Sequence, residues 1–569
     1  VVATAIGCSS DDGEKRTVGT GTGSNGAGAS LGTGSTGNGT GAMDGFGANS
    51  GTGGSGGDNP ATCEQAATAR SYVGCEFWPT ITYNKVHDGF DFAVVLANGG
   101  TEDAQVTVDG GALSAPVTET VPAGGLKAIP LPWVPGLKGP TWESTPGNTS
   151  GGRALASTTR VNKGAYHVVS TKPVTAWQFN PLQYKKSGVS PCYTTFGQAD
   201  CFSVSNDASL LVPATAMTGS YRLFGFNGDN GGEWGSMAGG FAITATQDGT
   251  KVTVQFGPNC ENANNGNPGT CTTGVDGQPK APGSTEVVEL NAGDVVEYVG
   301  TRGIDSGATG KDNADISGSI VVSDKPVQVV SFNPLANVPD SAEGHGNADH
   351  LEELVLPSEV IGKDYLVAPP TSPNGGVKGG HVVRLVGSVD GTTLTYENQP
   401  AGAPTSLNAG DMVQFETTSA FRVTGTEPFV VVSIMYGGWK QSSDAGCAEM
   451  DGHPCSGDPA ISTMVTPEQF RKQYTFLAPN DYDVNFADVY VPDGAMVSLD
   501  GAPLTTTGEP IAAGWTVHRV KLNASGDGSH NLVSDKPVGL QVMGFGHATS
   551  YHYPGGLNLT LISNPVTIK

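Results

Sequence analysis

The sequence predicts an all-β chain of tandem β-sandwich-like repeats following a disordered N-terminal tether. Three observations carry that expectation. A strand-forming unit around a proline occurs four times, as VVSTKPVTAWQF (168–179), VVSDKPVQVVSF (321–332), VTGTEPFVVVSI (423–434) and LVSDKPVGLQVM (532–543). Asp-Gly turns feed alternating segments in three places, QDGTKVTVQF (247–256), VDGTTLTYEN (389–398) and PDGAMVSLDG (492–501). Residues 17–60 are Gly, Ser, Thr and Asn with almost no large apolar side chains, so they cannot bury enough surface to fold.

The proline unit reads as a β-hairpin. In the copy at 321–335, Val321 and Val322 end one strand and Ser323, Asp324 and Lys325 make a polar turn. Pro326 opens the next strand, where its missing N–H is tolerated. The residues one and three places after each proline are apolar, and so is the sixth: Phe179, Phe332, Ile434 and Met543. Neighbouring positions face opposite sides of a strand, so this strand is apolar on both faces and belongs deep in the fold.

Each of the last three units begins with an apolar run to a proline and then a strand bearing tyrosine or phenylalanine: LLVPATAMTGSYRLFGF (210–226), LVLPSEVIGKDYLVAPP (354–370) and TMVTPEQFRKQYTFLAP (463–479). The segments LNAGDVVEYVG (290–300), LNAGDMVQFET (407–417) and IAAGWTVHRVKL (511–522) follow the Asp-Gly strands. In the first unit DFAVVLANGG, QVTVDGG and LKAIPLPW are short apolar runs ended by turn residues. About six strands in roughly 100 residues suit a sandwich better than a four-stranded propeller blade. A closed, propeller-like assembly of the same strands is the alternative. The expected organisation is a signal-peptide remnant at 1–7, a lipid-anchored linker at 8–60, and β repeats at 61–190, 191–345, 346–440 and 441–569.

Composition narrows the function classes. The 569 residues carry 29 Lys and Arg against 54 Asp and Glu, a formal charge of −25, which repels phosphate backbones and argues against nucleic acid. Of nine cysteines, eight fall into close neighbours, predicting the disulfides Cys63–Cys75, Cys192–Cys201, Cys260–Cys271 and Cys447–Cys455 in an oxidising compartment. No CxxC or HExxH supports zinc instead. The ninth, Cys8, lies in VVATAIGCSSDD, which resembles the end of a bacterial lipoprotein signal peptide, with Ile6 and Gly7 in the small-residue box. That resemblance implies cleavage and lipidation at Cys8, and Ser9 after it implies an outer-membrane destination, on the cell surface or facing the periplasm. The Gly/Ser/Thr-rich segment then acts as a tether spanning roughly 40 Å for about 50 residues. No stretch reaches 18 apolar residues, so no transmembrane helix is expected.

GDPAISTMVTPEQFRKQYTFLAP (457–479), ADHLEELVLP (348–357), SYHYPGGLNL (550–559) and the repeated SDKP unit are similar to the bacterial relatives of the IgG Fc-binding protein N-terminal domain. The resemblance runs over roughly residues 70–565. It implies a surface protein that binds a protein or glycan ligand, and it supplies no catalytic residues.

Three clusters are candidates for chemistry. His345, Asp349, His350, Glu352 and Glu353 in GHGNADHLEEL could form a metal site or an acid/base pair, and a solvated loop leading into a strand explains them as well. Asp481, Asp483 and Asp488 offer oxygens at calcium-like spacing, although the Gly and distal Glu of an EF-hand loop are missing. A polar-out strand and turn explain the same residues. His547, Tyr551, His552 and Tyr553 either form a recognition surface or pack across the last unit, and packing is the expectation. No GxSxG nucleophile elbow, Walker loop or pair of catalytic carboxylates stands in a recognisable context, and GTGSNG (21–26) matches GxGxxG only through composition, with no strand before it and no helix after it. The expected function is a non-enzymatic binding or adhesion lipoprotein without a cofactor, recognising its partner through the connections between strands. A structural envelope or matrix component and a secreted hydrolase with an unfamiliar site are the alternatives.

Overall fold

The computed structural model describes residues 59–141, 157–192, 199–227, 238–260, 269–301, 314–339, 348–377, 380–438, 457–523 and 526–568. Cys8 and nearly all of the tether lie outside the described residues. Ser55–Lys569 form one compact unit.

Within it, four two-sheet sandwiches share one strand order. In the first, an outer sheet runs Gly74–Phe77, the N-terminal half of Tyr166–Asn180, Ala104–Gly110, Val117–Val121. Its inner sheet runs Asp207–Leu210, the C-terminal half of Tyr166–Asn180, Phe92–Ala97, Leu126–Leu131. The second module repeats this with Ser220–Arg222, Ile320–Ser323, Thr250–Gln255 and Thr285–Leu290 outside. Asp349–Leu354, Val327–Ala336, Gly240–Ala245 and Val295–Val299 lie inside. The third and fourth modules place Asp364–Val367 and Arg471–Leu477 where the second has Ser220–Arg222. They place Ile461–Thr463 and Thr549–Pro554 where it has Asp349–Leu354. Every pairing is antiparallel, as short connections require.

The proline unit is not a hairpin. Val321 pairs with Tyr221 and Val254 in the outer sheet, whereas Val329 pairs with Ile243 in the inner one. The polar residues form a corner at which the chain changes sheets, and in the first and last modules the strand is continuous through it. One geometry serves all four corners. The side-chain oxygen two residues before the proline accepts a backbone N–H from the neighbouring outer-sheet chain, which follows the Asp-Gly turn in the last three modules: Gln105 to Thr171 (3.0 Å), Lys251 to Asp324 (2.8 Å), Thr393 to Thr426 (3.0 Å), Met496 to Asp535 (2.8 Å). In the last three modules the corner N–H returns the bond to the same residue's carbonyl. A side chain thus continues the ladder where proline cannot donate. The Asp-Gly turns also join strands of opposite sheets, with Gly249, Gly391 and Gly494 at positive φ (62°, 70° and 69°).

The strand after each corner has partners on both edges and is buried throughout, at all ten positions of Val327–Ala336 and all seven of Phe429–Met435. One edge strand of each inner sheet, the inner strand of its module, comes from the segment following this one (Asp207–Leu210, Asp349–Leu354, Ile461–Thr463 and Thr549–Pro554 in turn), so each module is completed by chain leading toward the next. The four inner strands pack against one another. Past the last of them, Leu557, Asn558 and Leu559 reach the first module: Tyr72 N–H donates to Leu557 O (3.1 Å), Leu559 N–H to Arg70 O (2.7 Å), and Ser71 bridges Asn558. Sandwich repeats and a closed propeller-like assembly are therefore both present, the first as modules and the second as their arrangement. One continuous apolar cluster runs through all four modules.

Candidate functional site

The inner strands meet around a carboxylate. Asp207 opens the first and takes N–H groups from the other three: Glu352 (3.0 Å) and Ile461 (3.3 Å) on Oδ2, His552 (3.3 Å) on Oδ1, which also accepts from Ala208 (2.9 Å). Asp349 opens the second and accepts from Thr549 Oγ1 (2.8 Å), Ser550 N (3.1 Å) and its neighbour His350 N (2.8 Å). Glu353 accepts from Thr463 N (2.9 Å). Glu352 is enclosed by Thr82 Oγ1 (2.5 Å), Gln178 Nε2 (2.7 Å) and Asn180 Nδ2 (3.0 Å). Burial pushes the carboxyls of Asp207, Asp349 and Glu353 well above the usual range, and the donated N–H groups pull against that rise. Nearby, His381 and His552 are held neutral, pulled down to about 3 by burial.

This cluster contains four of the five residues singled out at 344–354, and His345 lies outside the described residues. The solvated-loop reading is overturned for 349–354, which is a strand buried at all six positions. Asp349, His350 and Glu352 have 0% exposure and Glu353 2%, so they are shut off from solvent. Among the described residues no group of three His, Cys, Asp or Glu is placed to hold a metal ion.

The aspartates with calcium-like spacing separate. Asp488 is buried against Arg519 (2.9 Å) and Thr371. Asp483 accepts from Tyr184 (2.7 Å), and burial raises Asp481 to about 6. The terminal aromatics pack, and across the junction with the first module as well as within the last. Tyr551 lies edge-on to Tyr482 and Phe179, Tyr553 lies against Trp177, and the Tyr551 hydroxyl donates to Asn485 (2.8 Å).

Connections close in disulfides at Cys63–Cys75, Cys192–Cys201 and Cys260–Cys271. The first closes over a helix, Cys63–Ala69, capped by Thr62 Oγ1 on Gln65 N (3.2 Å). Cys447 and Cys455 lie outside the described residues. Sequence reasoning missed Asp207 as the hub. Its signal was an aspartate opening three successive runs, Asp207, Asp349 and Asp458, each ahead of an inner strand.

Compared with known families, residues 207–544 match the family model described as IgGFc binding protein. The match begins at the hub aspartate and covers more than half of the chain. No curated protein matches the chain.

Proposed function

The chain belongs to the IgGFc binding protein family, and from that premise we propose that it is a non-enzymatic binding lipoprotein displayed on the bacterial outer membrane. The family match is the observation that carries the reading. It favours a protein ligand, as the family description implies. The fold agrees with it in two respects. The acids most suggestive of catalysis, Asp349 and Glu353, accept backbone N–H groups from neighbouring inner strands. The connections between strands carry the variation between modules, and disulfides that clamp them lower the ordering cost of binding. In this reading Cys8 carries the lipid, and the Gly-rich segment holds the modules away from the membrane so that several weak contacts add up.

Two experiments test it. The chain displayed to a protein and glycan array should capture a protein ligand, and exchange of the disulfide-closed connections for Gly/Ser loops should abolish capture. Capture that survives exchange of all the loops, or a turnover activity abolished by one point substitution, would overturn the reading. Expressed behind a complete signal peptide, the protein should enter the detergent phase, and Cys8→Ala should leave it aqueous. Equal partitioning of the two removes the anchor.

A further inference from the structure

The third and fourth modules meet at a seam between their inner sheets. In the third, His381 opens the strand His381–Gly387 and pairs directly with Met435, which ends Phe429–Met435. In the fourth, His552 on Thr549–Pro554 pairs directly with Met543 on Ser529–Gly546. Residues directly opposed in an antiparallel pair share a face, with Cβ atoms about 4.5–5.5 Å apart. Each histidine therefore stands beside a methionine. The two faces are turned toward each other. Ser462, the partner of Ser433 two places before Met435, donates from Oγ to Gln541 Oε1 (2.7 Å), two places before Met543. Met435 and Met543 share one small apolar cluster with Ala460, Phe486 and Phe545. Burial and then the charge of His381 lower the pKa of His552, so the two rings are neighbours. All four side chains are closed to solvent, at 0–1% exposure.

The histidines keep unused nitrogens. His381 Nδ1 lies 2.7 Å from Ser433 Oγ, while its Nε2 has no hydrogen-bond partner among the described residues. His552 has none on either ring nitrogen. Buried polar atoms are normally paired, and an exception points to a function or a bound species. The scaffold does not require the pair of Met543 and His552. The same position holds Phe179 opposite Ala208, Phe332 opposite Glu352 and Ile434 opposite Ile461 in the other modules. Among the described residues no group of three His, Cys, Asp or Glu could hold a metal ion, so no carboxylate or third imidazole completes a set with these two. What stands beside them is sulfur. Thioethers select Cu(I) and imidazole suits copper, whereas magnesium, calcium and manganese need oxygen ligands. A single charge also costs less to bury than two. Neutral imidazole is the ligand form, and a Ser433 hydroxyl accepting Nδ1–H leaves His381 a lone pair on Nε2.

We propose that His381, Met435, His552 and Met543 form a Cu(I) site at this seam, with His381 binding through Nε2. The four donors come from two modules, so the ion enters as the modules dock and then holds them together. For the test, the full chain carrying Cys8→Ala, which removes a competing thiol, is unfolded in urea with its disulfides intact. It is refolded under argon with Cu(I) and exchanged against a Cu(I) chelator. A single equivalent of copper should remain, and X-ray absorption should show nitrogen and sulfur neighbours. The melting temperature should exceed that of the metal-free protein. Met435→Leu combined with Met543→Leu nearly conserves volume, so its metal-free form should melt near wild type. It should lose the sulfur neighbours and hold copper roughly tenfold or more weakly. His552→Leu should release the copper. No retained copper, copper held equally by these variants, or zinc retained in preference to copper from a mixture overturns the proposal. Where His552→Leu does not refold, the methionine pair decides alone.

Discussion

Asp207 gathers backbone N–H groups from three other strands onto one carboxylate, with two donors on each oxygen. Asparagine is nearly isosteric but would aim an NH₂ at two of those donors. Asp207→Asn should therefore cost about 2–5 kcal/mol, the range for stranding buried polar groups, and lower the urea midpoint. A stability within experimental error of wild type would remove the hub. Glu297 tests the opposite electrostatic case. It has 0% exposure and, among the described residues, accepts only Tyr83 N–H (3.2 Å) on one oxygen and has no hydrogen-bond partner on the other. Burial raises its carboxyl well above the usual value. An unfolded glutamate titrates near about 4.3. The stability from neutral Glu297 is fully present below that pH and lost as pH rises through the raised folded value. Glu297→Gln removes the need for the proton. Its melting temperature should match wild type at pH 4 and exceed it at pH 8, and an equal offset at both would exclude the linkage.

At the scale of elements, the corner before each proline is a structural device, which explains why its polar residues repeat. Asp324 accepts Lys251 N–H and returns its own N–H to the Lys251 carbonyl. Asp324→Ala should cost about 0.5–1.5 kcal/mol, and Asp324→Asn, which keeps an accepting oxygen, should recover most of it in thermal melts. Equal losses would mean that charge, not the hydrogen bond, holds the corner. The disulfides close loops with separations of 12, 9 and 11 residues, so each contributes about 2–3 kcal/mol, mainly by restricting the unfolded chain. Non-reducing peptide maps should return these pairs together with Cys447–Cys455. Free thiols at the last two would break the neighbour rule. The strands themselves were legible because alternation and turn residues mark them. Which sheet each strand joins was not, because a corner and a hairpin present the same residues to sequence reasoning.

For the whole compact unit, closure of the last module on the first is the feature no local pattern announces. Leu559 is fully buried, and Asn558 takes Arg471 Nη1 (2.6 Å) while donating to Phe470 O (3.0 Å). Leu559→Ala should cost about 2–5 kcal/mol, the range for truncating a buried leucine. Deleting 556–569 should expose the N–H of Tyr72 and split thermal unfolding into more than one transition in calorimetry. A single unshifted transition would show that the modules stand without closure.

The sequence by itself determined the β character, the four-fold recurrence, the neighbouring pairing of the six cysteines from Cys63 to Cys271 and the depth of the strand after each proline. These properties reside in local alternation, turn chemistry and spacing, which act over a few residues. The tertiary structure alone decided that the proline unit switches sheets and that the run with two histidines and three acids at 344–354 enters a buried strand. It also decided that one aspartate joins four strands and that His381 and His552 meet at a module seam. Each of these depends on which distant backbone supplies a donor or excludes water, and a residue's own neighbours in sequence do not encode that.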